Sequence, residues 1–174
     1  VVTANLATAH RGFLEACKSI SVQLVEFYRT ISDEMNQPTV FMFGHSLGCI
    51  IAHQVAWNLQ GTEIQVRGLA VFSAPSPADH ELCDVPPTIP ERFFGAQDVE
   101  KRTQECLETK LKCPIIAVSG NRDKQIAPRF RTIRWSEFTE NKSEILTIDG
   151  PHDLVSASPT RVISILSEFI TTHK

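Results

Sequence analysis

Thr39-Val40-Phe41-Met42-Phe43-Gly44-His45-Ser46-Leu47-Gly48-Cys49-Ile50-Ile51-Ala52 is the stretch that decides the fold of this chain. Thr39 to Phe43 is short, apolar and β-prone, which predicts a strand. From Cys49 onward, Cys49, Ile50, Ala52, Val55, Ala56 and Leu59 recur at helical spacing and mark an amphipathic helix. Strand therefore passes into helix through a tight turn containing Gly44, Ser46 and Gly48.

The same alternation extends in both directions. Upstream, Leu14, Cys17, Ile20, Leu24, Phe27 and Ile31 form one apolar stripe, predicting a helix that ends near Asn36-Gln37-Pro38 and packs on a sheet. Val1 to Leu6 reads as a strand with no turn before it, so the chain is expected to lack the N-terminal strands of its fold. Downstream, Val66 to Ser73 is a mostly apolar run of the kind buried on both faces of a parallel sheet. Pro75, Pro77, Pro86, Pro87 and Pro90 then resist helix and strand alike, which predicts a loop entering a lid. Helix-forming residues between Arg92 and Lys112, such as Glu105, Leu107 and Leu111, place at least one helix there.

Ile115 to Ser119 is a further strand, running into Gly120-Asn121-Arg122-Asp123, and Ile145 to Ile148 is the last, running into Asp149-Gly150-Pro151-His152. Ser158 is placed to cap and Pro159 to open a final helix whose apolar face is Val162, Ile163, Leu166, Phe169 and Ile170. About five strand candidates alternating with helices predict an α/β fold, a mostly parallel sheet flanked by helices. Residues 1–174 read as one domain, with a lid inserted at about 75–112.

Composition excludes several classes. With 174 residues, 42% of them hydrophobic, the chain can bury a core without metals or disulfides as staples. A formal net charge of −3 argues against a nucleic-acid partner. No apolar run approaches the ~20 residues of a membrane span, and no signal peptide is visible. Cys17, Cys49, Cys83, Cys106 and Cys113 are odd in number and lack metal-ligand spacing, which points to reduced thiols, no metal site and a cytoplasmic location.

The turn at Gly44-His45-Ser46-Leu47-Gly48 matches G-x-S-x-G, the strand-to-helix elbow that lifts a serine hydroxyl above a sheet. Glycines on either side are expected to let strand and helix approach closely, and the Leu47 N–H at the helix start to stabilise an oxyanion. A serine is a weak nucleophile until a base stands within hydrogen-bond reach and a third group orients that base. Asp123 and His152 each follow a strand end and stand in the order serine, acid, histidine, so Ser46, Asp123 and His152 are the candidate nucleophile, acid and base. Asp149 and Asp153 are rivals for the acid but lie close to His152 in sequence, and His45 reads as a pocket-wall or packing residue.

Phe43-Gly44-His45-Ser46-Leu47-Gly48, Phe72-Ser73-Ala74-Pro75, Cys113-Pro114-Ile115 with Gly120 and Asp123, Trp135, and Gly150-Pro151-His152 resemble the type II thioesterases. These are α/β-hydrolases that accompany polyketide and non-ribosomal peptide synthases, with relatives that release fatty acids from fatty acid synthases. The resemblance implies hydrolysis of acyl groups from the phosphopantetheine arm of an acyl or peptidyl carrier protein, through an acyl-serine, with no cofactor. It also implies a second oxyanion N–H on an N-terminal glycine loop, which this chain is expected to lack, and a longer lid than the one between Pro75 and Pro114. Arg122, Lys124, Arg129, Arg131 and Arg134 form a basic stretch that could guide an acidic carrier protein. The alternatives are a general serine carboxylesterase or lipase, and a truncated, catalytically weak domain that acts as a binding module.

Overall fold

The computed structural model describes residues 12–31, 38–78, 104–126 and 133–174. Its elements in chain order are α1 (Phe13–Ile31), β1 (Thr39–His45), α2 (Leu47–Leu59), β2 (Gln65–Phe72), β3 (Ile115–Gly120), a 3-10 helix (Ile133–Phe138), β4 (Ser143–Ile148), α3 (Leu154–Ala157) and α4 (Pro159–Thr172). Residues 104–108 form a helical turn before β3. Four of the expected strands are thus present within about two residues of their predicted ends, and the candidate at Val1 to Leu6 lies outside the described residues. So do most of the expected lid and the end of the first helix near Asn36.

The strands form one parallel sheet in the order β1-β2-β3-β4. Alternation along β2 and β3 sends side chains to two opposite faces. Leu69, Val71, Ile115 and Ala117 pack with Cys49, Ala52 and Ala56 of α2 and with Trp135 and Phe138 of the 3-10 helix. Ala70, Phe72, Ile116 and Val118 pack with Leu154 and with Val162, Ile165 and Phe169 of α4. Burying both faces explains why Leu69 to Phe72 and Ile115 to Val118 are apolar throughout rather than alternating.

α2 is apolar on more than one side because it is covered twice. Its small residues Cys49, Ala52 and Ala56 meet the sheet, while Val55 and Leu59 meet Cys17 of α1. α1 therefore packs on α2, and Val40, Met42 and Val66 of the sheet adjoin the same cluster. At the start of α4, Pro159 occupies the first turn as expected, but the Ser158 side chain makes no capping hydrogen bond. Its backbone, at φ −143° and ψ 53°, joins α3 to α4 instead of adopting the usual cap geometry. The 3-10 helix had no periodic signal to announce it.

Both stems of the segment between β2 and β3 are fastened. Trp135, fully buried, donates its Nε1–H to the Ala74 carbonyl at 3.1 Å. Trp57 of α2 donates to the Thr109 carbonyl at 2.8 Å, and Gln60 accepts from the Lys112 N–H at 3.1 Å. The Ala74 bond lies at the C-terminal end of the sheet, just past β2, and the Thr109 and Lys112 bonds at the opposite end, just before β3.

Candidate active site

Ser46 follows β1 with φ 52° and ψ −128°, a left-handed conformation that is rare and strained for a residue with a Cβ. Its N–H donates to the Phe72 carbonyl at 2.9 Å and its carbonyl accepts from the Cys49 N–H at 2.9 Å, so the turn is tied to β2 and to α2 at once. Gly44 is required by this crossing: a Cβ on it would stand 2.5 Å from Cys49 Cα and from the Gly48 carbonyl oxygen. Gly48 is not required in the same sense, because a Cβ there meets nothing within 4 Å. The expectation of two space-making glycines is corrected to one.

The three sequence candidates are brought together. The Ser46 hydroxyl lies 3.0 Å from His152 Nε2, and His152 Nδ1 lies 2.9 Å from Asp123 Oδ2. In the arrangement with Nδ1–H on the ring, the hydroxyl donates to Nε2 and the ring donates to the carboxylate. The other Asp123 oxygen accepts from the Gln125 N–H at 2.8 Å and the Ile126 N–H at 3.1 Å. Its side chain is wholly buried, while that of His152 is 15% exposed, so of this pair it is the imidazole that opens toward solvent.

The rival acids are elsewhere. Asp149 pairs with Arg122 at 2.9 Å, both side chains mostly exposed. Asp153 accepts from the Ser156 N–H at 3.2 Å, and its carboxyl is held below the usual range first by hydrogen bonds from Ser156 and then by the nearby His45 and His152.

The acid loop and the base loop are stitched to one another. The Asn121 N–H donates to the Ile148 carbonyl and the Arg122 N–H to the Gly150 carbonyl, both at 2.9 Å, while Asn121 Oδ1 accepts from the Gly150 N–H at 3.2 Å. Gly120 touches the Gly150 and Pro151 carbonyls so closely that no Cβ would fit. Asn121 was not singled out by the sequence, although its place one residue beyond a strand end was the available signal.

Leu47, the expected oxyanion donor, opens α2, and its N–H is one of the first four that no turn of the helix can satisfy. The expectation that a second donor is missing concerns the N-terminal segment and lies outside the described residues. Of the basic stretch, Arg122 is paired with Asp149 and Arg134 with Glu137, while Arg129 and Arg131 lie outside the described residues. Among the described residues no helix is long and apolar enough to cross a membrane.

Solved structures of similar fold include several thioesterases. The type II thioesterase BorB from the borrelidin biosynthetic cluster is 25% identical, with a TM-score of 0.58 over 88% of this chain and 70% of that one. RedJ, the thioesterase of the prodiginine pathway in Streptomyces coelicolor, is 19% identical, with a TM-score of 0.60 over 91% and 68%. A monoacylglycerol lipase of Paleococcus ferrophilus is 15% identical, with a TM-score of 0.60 over 95% and 78%. The fold is thus that of the α/β-hydrolases. No curated protein matches the chain. The family model described as serine hydrolase (FSH1) matches residues 5–161, and the chain accordingly belongs to the FSH1 family of serine hydrolases.

Proposed function

We propose that this serine hydrolase is a thioesterase that removes acyl groups from the phosphopantetheine arm of a carrier protein, with Ser46 as nucleophile, His152 as base and Asp123 as orienting acid. The observation that carries the reading is the unbroken line from the Ser46 hydroxyl through both His152 nitrogens to the buried Asp123 carboxylate. The likeness to BorB supports the thioester as substrate.

The steps balance with these groups alone. Ser46 Oγ attacks the thioester carbonyl as its proton passes to His152 Nε2, and the oxyanion forms against the Leu47 N–H. The C–S bond breaks, the thiolate leaves with that proton, and an acyl-serine remains. Water then adds to the acyl carbon, giving its proton to His152, which returns it to Ser46 as the free acid departs. Asp123 holds Nδ1–H throughout, so that Nε2 is always the nitrogen that faces the reaction.

Turnover of an acyl-carrier thioester against a short aryl ester of the same acyl group tests the assignment. A clear preference in kcat/KM for the carrier thioester supports it. Equal turnover makes the chain a general carboxylesterase or lipase-like hydrolase, and folded protein whose Ser46 resists a fluorophosphonate points to the weak binding module.

A further inference from the structure

His45 stands immediately before the strained serine, and its ring does more than fill space. Its Nε2 lies 3.1 Å from the backbone carbonyl of His152, and the two imidazole rings are tilted at 54° with centroids 5.6 Å apart. A carbonyl oxygen only accepts, so His45 must donate through Nε2–H, which fixes the neutral ring in the Nε2–H form. The same carbonyl accepts from the Leu154 N–H at 2.9 Å. This one oxygen thus has both its lone pairs engaged.

We infer that His45 is a positioning residue that locks the backbone of the base to the neighbour of the nucleophile, so that the Ser46–His152 distance is set by a link from the residue before Ser46 to the carbonyl of His152 itself. Without this link the base turn is held chiefly from the acid side, by Asn121 and Arg122 on Gly150. Those bonds fix Gly150, two residues upstream, and the Leu154 N–H holds the His152 carbonyl only within its own turn, so neither ties the backbone of the base to the turn of the nucleophile. The His45 bond supplies that tie from the nucleophile side. The inference rests on the reading of Ser46 and His152 as nucleophile and base.

Two replacements separate donation from packing. His45→Phe keeps a ring of similar volume and removes the donor, whereas His45→Gln places an amide N–H at about the reach of Nε2. His45→Phe is expected to lower kcat on an aryl ester about tenfold or more with KM retained, because small displacements of a catalytic group are costly. Its fluorophosphonate labelling should slow in parallel, and His45→Gln should recover most of both rates.

Wild-type kcat in His45→Phe, no recovery in His45→Gln, or a raised KM at unchanged kcat would each overturn the inference, the last by making His45 a wall of the acyl site. Nitrogen-15 chemical shifts of the wild-type histidines give a reading that does not depend on any variant folding. An Nε2–H tautomer at His45 is expected, and an Nδ1–H tautomer discards the link. Wild-type protein that resists the fluorophosphonate sinks the nucleophile assignment itself, while the tautomer still reports on His45 separately.

Discussion

Gly44 and Cys49 meet backbone to backbone where β1 turns into α2, leaving no room for a single added carbon. That contact draws the helix start up beneath the serine and holds Ser46 in its left-handed conformation.

The two glycines of the elbow should therefore behave differently. Gly44→Ala should cost about 2–3 kcal/mol or more, since the contact is with backbone that cannot rotate away. Gly48→Ala sits in the first turn of α2 with open space around its Cβ and should raise stability by about 0.5 kcal/mol through helix propensity. Urea unfolding of the two variants checks this, and equal destabilisation would contradict it.

The acid assignment predicts an equally sharp contrast. Asp123→Asn should lower kcat by about 10⁴, because an amide presents an N–H where the ring must donate and favours the wrong tautomer. Asp149→Asn loses only an exposed pair with Arg122, worth about 0–1 kcal/mol, and should keep its kcat. Steady-state hydrolysis of an aryl ester distinguishes them.

Asn121 links the two loops through a side chain. Asn121→Ala strands the Gly150 N–H and should cost about 1–3 kcal/mol of stability. It should also lower kcat more than it alters KM, since the base loop loses its register against the acid loop; a change in KM alone would assign Asn121 to substrate contact.

Burial gives the thiols an alkaline signature. Desolvation raises the Cys113 thiol from 9.0 to about 12 and pushes Cys49, beneath the elbow, higher still. Unfolding exposes thiols that ionise near the ordinary value, so above pH 9.0 the unfolded state holds fewer protons than the native one. The stability from Cys113 is thus complete below pH 9.0 and lost as the pH rises toward 12. Stability measured by chemical denaturation from pH 8 upward should fall less steeply in Cys113→Ala, and Cys49 and Cys113 of the folded protein should resist iodoacetamide at pH 8.

Much of this was legible in the sequence because it depends on short range. The apolar run of Val66 to Ser73, the helical stripe after Cys49 and the residues just past strand ends are local signals, and the order Ser46, Asp123, His152 follows from how parallel strands deliver their loops. The 3-10 helix at Ile133–Phe138 escaped notice because it carries no period and is held by burial of Trp135 and Phe138 against the sheet. Ser158 stands at the N-cap position that the sequence marks, but its side chain makes no capping bond, because that bond needs a backbone geometry that the junction of α3 and α4 does not adopt.

The amino-acid sequence by itself determined that a serine would stand at a strand-to-helix turn and that an aspartate and a histidine would follow later strands. Tertiary structure alone decided that Asp123 rather than Asp149 or Asp153 faces His152, that only Gly44 is crowded, and that His45 reaches the base's backbone. The physical reason is that a hydrogen bond depends on the separation and orientation of two atoms, and for residues about 30 to 100 positions apart those are set by the packing of the sheet.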